Sequence, residues 1–173
     1  MTFTNKIKTH LYKEMLRIRM IEEAVAKAYS EQEIRCPVHL SIGQEAIAVG
    51  VSAQLSKQDL ALSAHRSHAH YLAKGGNLKA MLSELYGKET GCAKGKGGSM
   101  HLFDLDAGLI AAVPIVGSTL PIGVGVAWNM IRNMTPGLVV IYFGDGATEE
   151  GVFSESLDFA SLKNLPVLFV CEN

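Results

Sequence analysis

An α/β fold with a parallel sheet is predicted by the last third of the sequence. The run LVVIYF at 138–143 is continuously apolar and rich in β-branched residues, as is typical of a central parallel strand. A helical segment carrying Phe153 and Leu157 follows, and a second apolar run, VLFV at 167–170, comes after an Asn-Leu-Pro turn. Strand, crossover helix and strand form a βαβ unit, in which the two strands lie parallel in one sheet.

The residues upstream predict two helices followed by a strand. A long helix is predicted over 4–32, where apolar residues recur at helical spacing with Lys and Glu between them. A second helix is predicted over 44–55, because its small residues allow close contact with a neighbouring helix. The run DLALSA at 59–64 predicts a short buried strand. The apolar positions of the long helix are Ile7, Leu11, Ile18, Ile21 and Val25.

Residues typical of helix ends predict the remaining helices. Asn77 is a favourable N-cap and Gly87 a favourable residue after a helix end, so the segment LKAMLSELY between them is predicted to be helical. Pro121 predicts the start of another helix, PIGVGVAWNMIRN. Thr148 is the predicted cap of the crossover helix.

Composition and charge exclude several classes of protein. Of the 173 residues, 48% are hydrophobic and 19% are charged, which is typical of a globular chain rather than a disordered or fibrous one. The formal net charge of −1 argues against nucleic-acid binding. No apolar run reaches the ~20 residues needed to span a membrane. The N-terminal residues lack the pattern of a targeting peptide and the three cysteines are scattered, so reduced thiols and a cytoplasmic location are expected.

The Gly-Asp-Gly turn at 144–146 predicts a ligand site at the edge of the sheet. Asp145 directly follows a predicted strand, and its flanking glycines let the backbone approach a ligand. The following helix N-terminus would offer free N–H groups to a phosphate, and a carboxylate beside a diphosphate suits Mg²⁺ or Ca²⁺. Taken alone, the tripeptide is better explained as a simple tight turn, since Asp and Gly are common turn residues. Its place between a strand and a helix, with Asn173 ending the next strand, favours the ligand site.

Several motifs along the chain together resemble one enzyme family, the alpha subunit of thiamine-diphosphate-dependent 2-oxo acid dehydrogenases. This is the first component of pyruvate-type complexes, and the resemblance is to its N-terminal half. The HRxHxH run and YGKETG look most like the acetoin dehydrogenase branch. The motifs are HLSIGQEA from His39, HRSHAHYLAKGG from His65, YGKETGCAKGKGGSMH from Tyr86, PIVGSTLPIG from Pro114, and the segment from GDG to Asn173.

The resemblance implies a domain organisation and partners. It implies a diphosphate-binding α/β domain over 35–173, incomplete at its C-terminus, preceded by an N-terminal helical segment over 1–34. The active site would be shared with a beta subunit in an α2β2 assembly, where the beta chain binds the aminopyrimidine and supplies the activating glutamate. A lipoyl acyltransferase would accept the acyl group. The substrate would be a small 2-oxo acid such as pyruvate, or acetoin.

The resemblance also implies residues that bind the metal and the diphosphate of the cofactor. Asp145 matches the ligand of Mg²⁺, and Gly146 and Ala147 match backbone donors to the diphosphate. Arg66 matches an arginine clamp, where a fork of N–H donors suits phosphate. The family motif usually closes with two asparagines, of which the second binds the metal. Here Asn173 is the only one present, so the metal ligand is either Asn173 or a residue that would follow it.

The remaining implied residues surround the reacting end of the cofactor. His39 matches the catalytic histidine beside the substrate. The resemblance implies that His65 is a cofactor-binding residue, at a position where the acetoin branch also has histidine. Pro114 and Val116, with Ile115, match the segment that holds the cofactor bent. The carbonyl of Pro114 would accept a hydrogen bond from the 4′-amino group, because proline lacks an N–H but keeps its carbonyl.

Alternatives remain open for several residues and for the chain. Arg66 can pair with a surface carboxylate, and His68 and His70 can be structural rather than catalytic. The lysines of the glycine-rich loop are expected to shape that loop or contact the beta chain rather than bind phosphate, and Glu45 is expected to be a structural acceptor near a helix start. For the chain as a whole, the alternative is a non-catalytic assembly module or remnant half-subunit without independent cofactor binding.

Overall fold

The computed structural model describes residues 4–173, so residues 1–3 of the predicted N-terminal segment lie outside the described residues. Within this range, the helices are α1 (Asn5–Tyr29), α2 (Glu45–Ser52), α3 (His68–Ala73), α4 (Leu78–Leu85), α5 (Thr119–Arg132) and α6 (Gly151–Leu162). The strands are β1 (Leu60–Ser63), β2 (Leu109–Ala112), β3 (Val139–Gly144) and β4 (Val167–Glu172). Two short 3₁₀ helices cover Gly98–His101 and Asp145–Glu149.

The four strands form one parallel sheet in the order β2-β1-β3-β4. Strand β3 pairs with both β1 and β4, and its first five residues are buried. The predicted βαβ unit is β3–α6–β4, and Gly144 lies opposite Glu172 in its register. The α/β parallel-sheet class predicted from the sequence is therefore confirmed. Parallel pairing brings the carboxyl ends of the strands to one edge, where such sheets bind ligands.

Helices cover both faces of the sheet and create two packed layers. On one face, Met81 of α4 belongs to the same core as Val140 of β3. On the other face, Leu120 of α5 packs in a core with Ile141. Because side chains alternate along a strand, β3 supplies apolar residues to both layers, which explains its continuous apolar run.

Helix α1 confirms the long helix predicted from the periodicity. It begins after Thr4, whose hydroxyl accepts a hydrogen bond from the backbone N–H of Ile7. Ile18 and Val25 are buried as predicted, whereas Ile7 is 41% exposed, because the first turns of α1 extend beyond the core. Glu22 is also buried, so the inner face of this helix carries one charged residue.

Two helix starts differ from the sequence predictions. Helix α5 begins at Thr119, two residues before Pro121, because proline fits anywhere in a first turn where backbone N–H groups have no helical partner. Thr148 does not cap α6, since it lies in the second 3₁₀ helix and its hydroxyl donates to the carbonyl of Asp145 at 2.6 Å. Helix α6 therefore starts only after this 3₁₀ helix, and not directly after Asp145.

Other differences concern short elements and one edge of the sheet. The sequence did not predict α3 or β2, which have six and four residues. Strand β4, predicted to be buried, is partly exposed, because within residues 4–173 it pairs only with β3. Leu162, the last residue of α6, is exposed.

Glu45 confirms its predicted structural role at a helix start. It is the first residue of α2, and its carboxylate accepts a hydrogen bond from the backbone N–H of Gly43 at 3.0 Å. The guanidinium of Arg19 also binds it through two nitrogens, with Nη2 3.1 Å from Oε2. This pair joins α1 to α2.

The described residues contain neither a disulfide nor a membrane-spanning helix. Cys36, Cys92 and Cys171 are free thiols, of which Cys171 is exposed. None of the helices within residues 4–173 combines the length and the apolar character that crossing a membrane requires.

Two glycines of α5 provide a matched test of packing against the sheet. A Cβ added at Gly123 would lie 2.4 Å from Cδ1 of Ile141, whereas one added at Gly125 meets no atom within 4 Å. We expect Gly123→Ala to lower the free energy of unfolding by about 1–3 kcal/mol through overpacking. Gly125→Ala should raise it by up to about 1 kcal/mol, because alanine favours a helix. Urea denaturation measures both, and equal effects would contradict this account.

Candidate active site

Two predicted metal ligands lie at the ends of adjacent strands. Asp145 directly follows β3 and Asn173 directly follows β4, and the preceding residues, Gly144 and Glu172, are paired. Both Asp145 and Asn173 are exposed. A Cβ added at Gly144 or Gly146 would meet no atom within 4 Å, so the space at this edge of the sheet is open. Two oxygen-bearing side chains therefore border a space that a ligand can enter.

The predicted diphosphate donors lie in the turn that follows Asp145. Gly146 and Ala147 both belong to the second 3₁₀ helix. Gly146 is exposed and Ala147 is buried. The turn therefore exposes the first of these residues beside Asp145 and packs the second into the core.

The segment after β2 continues from the same edge of the sheet. The backbone N–H of Val113 donates to the carbonyl of Ser63, the last residue of β1, at 3.0 Å. Pro114 follows and is half-buried, whereas Ile115 and Val116 are exposed. This segment therefore presents two large apolar side chains on the surface directly after the strand end.

His39 and His65 contact each other, although they are far apart in the sequence. Their ring centroids are 4.8 Å apart, and the rings meet edge to face at 72°. The guanidinium of Arg66 donates to the backbone carbonyl of Leu40, so the segment before α2 is joined to the residues after β1. Among residues 4–173, Arg66 forms no ion pair with a carboxylate.

The surroundings of these two histidines affect the protonation of His65 and the hydrogen bonding of His39. Burial lowers the pKa of His65, and electrostatic repulsion from His39 and Arg66 lowers it further. His65 is therefore neutral at pH 7, since even an unperturbed histidine titrates near pH 6.5. The Nδ1 atom of His39 is buried and has no hydrogen-bond partner in the structure. Leaving a buried ring nitrogen without a partner costs free energy.

His70 is a core histidine between two strand ends. Its Nδ1 lies 2.8 Å from Oγ of Ser63, and its Nε2 lies 3.1 Å from Oε1 of Glu172. Its ring stacks on Tyr142 with the centroids 3.8 Å apart, and only 2% of the residue is exposed. Because both ring nitrogens are engaged, the structure supports the structural alternative for His70.

His68 is also buried, and its two ring nitrogens contact other elements. Nδ1 lies 2.7 Å from Oε1 of Glu22 in α1, and Nε2 lies 2.8 Å from Oγ of Ser99 in the first 3₁₀ helix. His68 is therefore structural as well.

His101, at the end of that 3₁₀ helix, is exposed, and its Nδ1 contacts the carbonyl of Gly97 at 2.8 Å.

The glycine-rich loop is organised by a carboxylate of the chain itself. Glu84 of α4 is fully buried and accepts four backbone hydrogen bonds from this loop. Burial raises the pKa of Glu84, but the four N–H donors together outweigh it, so the pKa is lowered. The loop lysines, Lys94 and Lys96, are exposed, which supports the structural interpretation of the loop. The donors are Ala93 and Gly95, each 2.8 Å from Oε2, and Gly97 and Gly98, 2.7 and 3.0 Å from Oε1.

Glu22 and Glu84 are important residues that the sequence analysis did not single out. Glu22 lies four residues after Ile18 and three before Val25, both of which are buried. Glu84 lies three residues after Met81, which is also buried. A charged residue on the apolar face of an amphipathic helix must find partners in the core, and this spacing could have identified both.

The site is suited to a metal shared with a phosphorylated ligand. Among residues 4–173, no three His, Cys, Asp or Glu side chains are grouped so that they could hold a metal ion. Mg²⁺ usually binds one or two carboxylates together with phosphates of the ligand rather than an all-protein cage. A single carboxylate, Asp145, beside open space fits that arrangement.

Comparisons with known proteins place this chain in a family. The family model described as "Dehydrogenase E1 component" matches residues 13–173. The chain belongs to this family. It is of the alpha-subunit type, as its motifs predicted, because its relatives carry the names of alpha subunits of pyruvate or acetoin enzymes.

Three relatives illustrate the extent of the match. The alpha subunit of acetoin:2,6-dichlorophenolindophenol oxidoreductase from Bacillus subtilis is 45% identical, over 94% of this chain and 49% of that protein. The pyruvate dehydrogenase E1 component subunit alpha of Rickettsia typhi is 41% identical, over 94% and 50%. The mitochondrial pyruvate dehydrogenase E1 component subunit alpha-2 of Arabidopsis thaliana is 39% identical, over 94% and 41%. The chain thus spans half or less of the length of these relatives.

Proposed function

We propose that this E1 chain holds the diphosphate and metal of thiamine diphosphate within the alpha subunit of a dehydrogenase. The enzyme oxidatively decarboxylates pyruvate or cleaves acetoin, and it passes the acyl group to lipoamide. The observation that carries the proposal is the position of Asp145, an exposed carboxylate at a strand end, beside Asn173 on the next strand. The family match and the names of the relatives support the reaction class.

The residues at the sheet edge fit thiamine diphosphate and Mg²⁺. The carboxylate of Asp145 and the side-chain amide oxygen of Asn173 are hard ligands of the kind that Mg²⁺ prefers. Arg66 uses Nη1 for the carbonyl of Leu40, and a guanidinium has five N–H donors, so others remain for the diphosphate. Gly146 and Ala147 would add backbone donors.

The other proposed residues act on the substrate and the reactive end of the cofactor. When bound, the cofactor supplies an electron sink for breaking the bond beside the carbonyl. His39 would hold or move a proton at the substrate oxygen, a task suited to an imidazole because one ring nitrogen can donate while the other accepts. Neutral His65 would hydrogen-bond the cofactor beside it. The carbonyl of Pro114 would accept a hydrogen bond from the cofactor amino group, and Val116 would support its apolar part.

The partners and location follow from the same proposal. The chain would work in an α2β2 assembly with a beta subunit and deliver the acyl group to a lipoyl acyltransferase. Ile115 and Val116 are exposed apolar residues, and burial by cofactor or beta chain would be favourable. We expect the alpha chain to be inactive without its beta chain, because no matching motif here supplies the glutamate that activates the pyrimidine. A cytoplasmic location is proposed, although the Arabidopsis relative is named as mitochondrial.

Calorimetry with Asp145→Ala tests the proposal. The protein that carries this chain is purified with its beta chain and titrated with thiamine diphosphate in Mg²⁺. We expect Asp145→Ala to weaken binding about 10- to 100-fold, since an interaction with a charged group contributes about 1.5–3 kcal/mol. The matched control is Asp158→Ala, which removes an exposed aspartate of α6 outside the site and should leave affinity unchanged.

The other outcomes of this titration separate the alternatives. Equal affinities for the wild type and Asp145→Ala would show that the metal is held elsewhere. If the wild-type protein did not bind at millimolar cofactor, the assembly-module alternative would replace the proposed function.

A further inference from the structure

Glu22 is a fully buried carboxylate in α1 that the proposed mechanism does not use. Its Oε1 lies 2.7 Å from Nδ1 of His68, and its Oε2 accepts a hydrogen bond from the backbone N–H of Ser41 at 2.6 Å. A buried carboxylate is strongly destabilising unless both oxygens find partners. Glu22 therefore connects two elements that are far from it in sequence, the segment before α2 and the start of α3.

The contact with Ser41 fixes the segment that carries His39. Ser41 lies two residues after His39, and its own Oγ accepts a hydrogen bond from the backbone N–H of Ala69 at 3.3 Å. The backbone carbonyl of Leu40, which lies between His39 and Ser41, accepts a hydrogen bond from the guanidinium of Arg66. Residues 39–41 are thus joined to α1, to α3 and to the segment after β1, and Glu22 makes the contact with α1.

The contact between Glu22 and His68 belongs to a buried hydrogen-bond network to which substrate has no access. Nε2 of His68 lies 2.8 Å from Oγ of Ser99, and Oγ of Ser67 donates to the Ser99 carbonyl at 3.4 Å. Glu22, His68 and Ser99 are all 0% exposed. Although serine, histidine and carboxylate are in contact, no solvent or substrate reaches this serine, so the network is not a nucleophilic triad.

We propose that Glu22 is a positioning residue that holds His39 against His65. By fixing the Ser41 backbone, it maintains the edge-to-face contact of the two imidazoles, whose centroids lie 4.8 Å apart. Only the catalytic consequence of this proposal rests on the proposed function. The placement of the two rings is a property of the fold and can be measured without cofactor.

Histidine-selective NMR of the protein that carries this chain tests the placement directly. The chain has six histidines, so the imidazole signals can be assigned by substitution. We expect a cross-relaxation signal between the rings of His39 and His65 in the wild type and its loss in Glu22→Ala. Glu22→Gln should retain it, because the amide oxygen still accepts the Ser41 N–H while the amide nitrogen donates to His68 in its other tautomer.

The matched control is Ser99→Ala, which breaks the far end of the network and leaves the bond between Glu22 and Ser41 intact. It should lower stability but keep the signal between His39 and His65. If Ser99→Ala lost the signal as fully as Glu22→Ala, the effect would be general loosening and the proposal would be wrong. A full signal in folded Glu22→Ala would also overturn it. Where Glu22→Ala does not fold, Glu22→Asp decides, because its shorter side chain cannot reach both partners and should weaken the signal.

Turnover of the complete enzyme with its beta chain separates this proposal from the proposed function. We expect Glu22→Ala to lower kcat about 10- to 100-fold, the typical cost of misplacing a catalytic group by about 1 Å. Glu22→Gln should restore most of it. If the ring signal disappeared in Glu22→Ala while kcat stayed unchanged, positioning by Glu22 would be supported and the catalytic role of His39 would be wrong.

Discussion

Replacing Glu84 by alanine is expected to lower the free energy of unfolding by about 3–5 kcal/mol, because several buried charge-assisted hydrogen bonds are lost together. The Glu84 carboxylate is fully buried and accepts four backbone N–H groups of the glycine-rich loop. Without it, these donors have no acceptor in the core, so residues 91–98 should open. Urea denaturation measures the loss of stability, and amide hydrogen exchange of the four donors measures the opening.

The loop offers a matched control and a pH test. Glu89→Ala removes an exposed glutamate of the same loop and should change stability by less than about 0.5 kcal/mol. The folded state lowers the pKa of Glu84 below its ordinary value of 4.5, so the unfolded chain takes up the proton first as pH falls. Its stabilisation is therefore complete above pH 4.5 and is lost as pH falls through the folded pKa. A difference between wild type and Glu84→Ala that stays constant from pH 7 to strongly acidic pH would contradict this.

The main elements of the fold could be predicted because the pattern of apolar residues within each segment indicates which of its positions are buried. Strand β3 is buried on both faces, so its residues form a continuous apolar run, and α1 repeats its inner residues at helical spacing. Helix α3 could not be predicted in this way. Its buried histidines are stabilised by partners distant in the chain, and His70 and Glu172 are separated by 102 residues.

The same distinction applies to the candidate site: some of its residues could be placed from local sequence patterns, and others could not. Asp145 and Asn173 follow recognisable strands, so their placement at one edge of the sheet could be predicted from the order of elements. The contact between His39 and His65 could not, because it depends on how the segment before α2 is anchored. That anchoring requires a hydrogen bond from Ser41 to Glu22, and no local pattern reveals it.

His70→Ala is expected to lower the free energy of unfolding by about 3–5 kcal/mol, as is typical when one partner of a buried pair is removed. The substitution leaves the side chain of Glu172, which is only 9% exposed, without its hydrogen-bond partner. It also removes the 2.8 Å contact with Ser63 and the stacking on Tyr142. Since His70 joins the ends of β1 and β4, amide exchange should increase most in the last residues of these strands.

The pairing with Glu172 can be separated from the packing of the His70 ring by a double-mutant cycle. If the unpaired carboxylate causes most of the loss, His70→Ala combined with Glu172→Ala should cost less than the sum of the two single substitutions. The matched control is His101→Ala, an exposed histidine with one contact to the Gly97 carbonyl, which should cost less than about 1 kcal/mol. Strict additivity in the cycle would assign the effect to packing. Because Glu172 precedes Asn173, a loosened strand end should also weaken the proposed Mg²⁺-dependent binding of thiamine diphosphate, whereas His101→Ala should not.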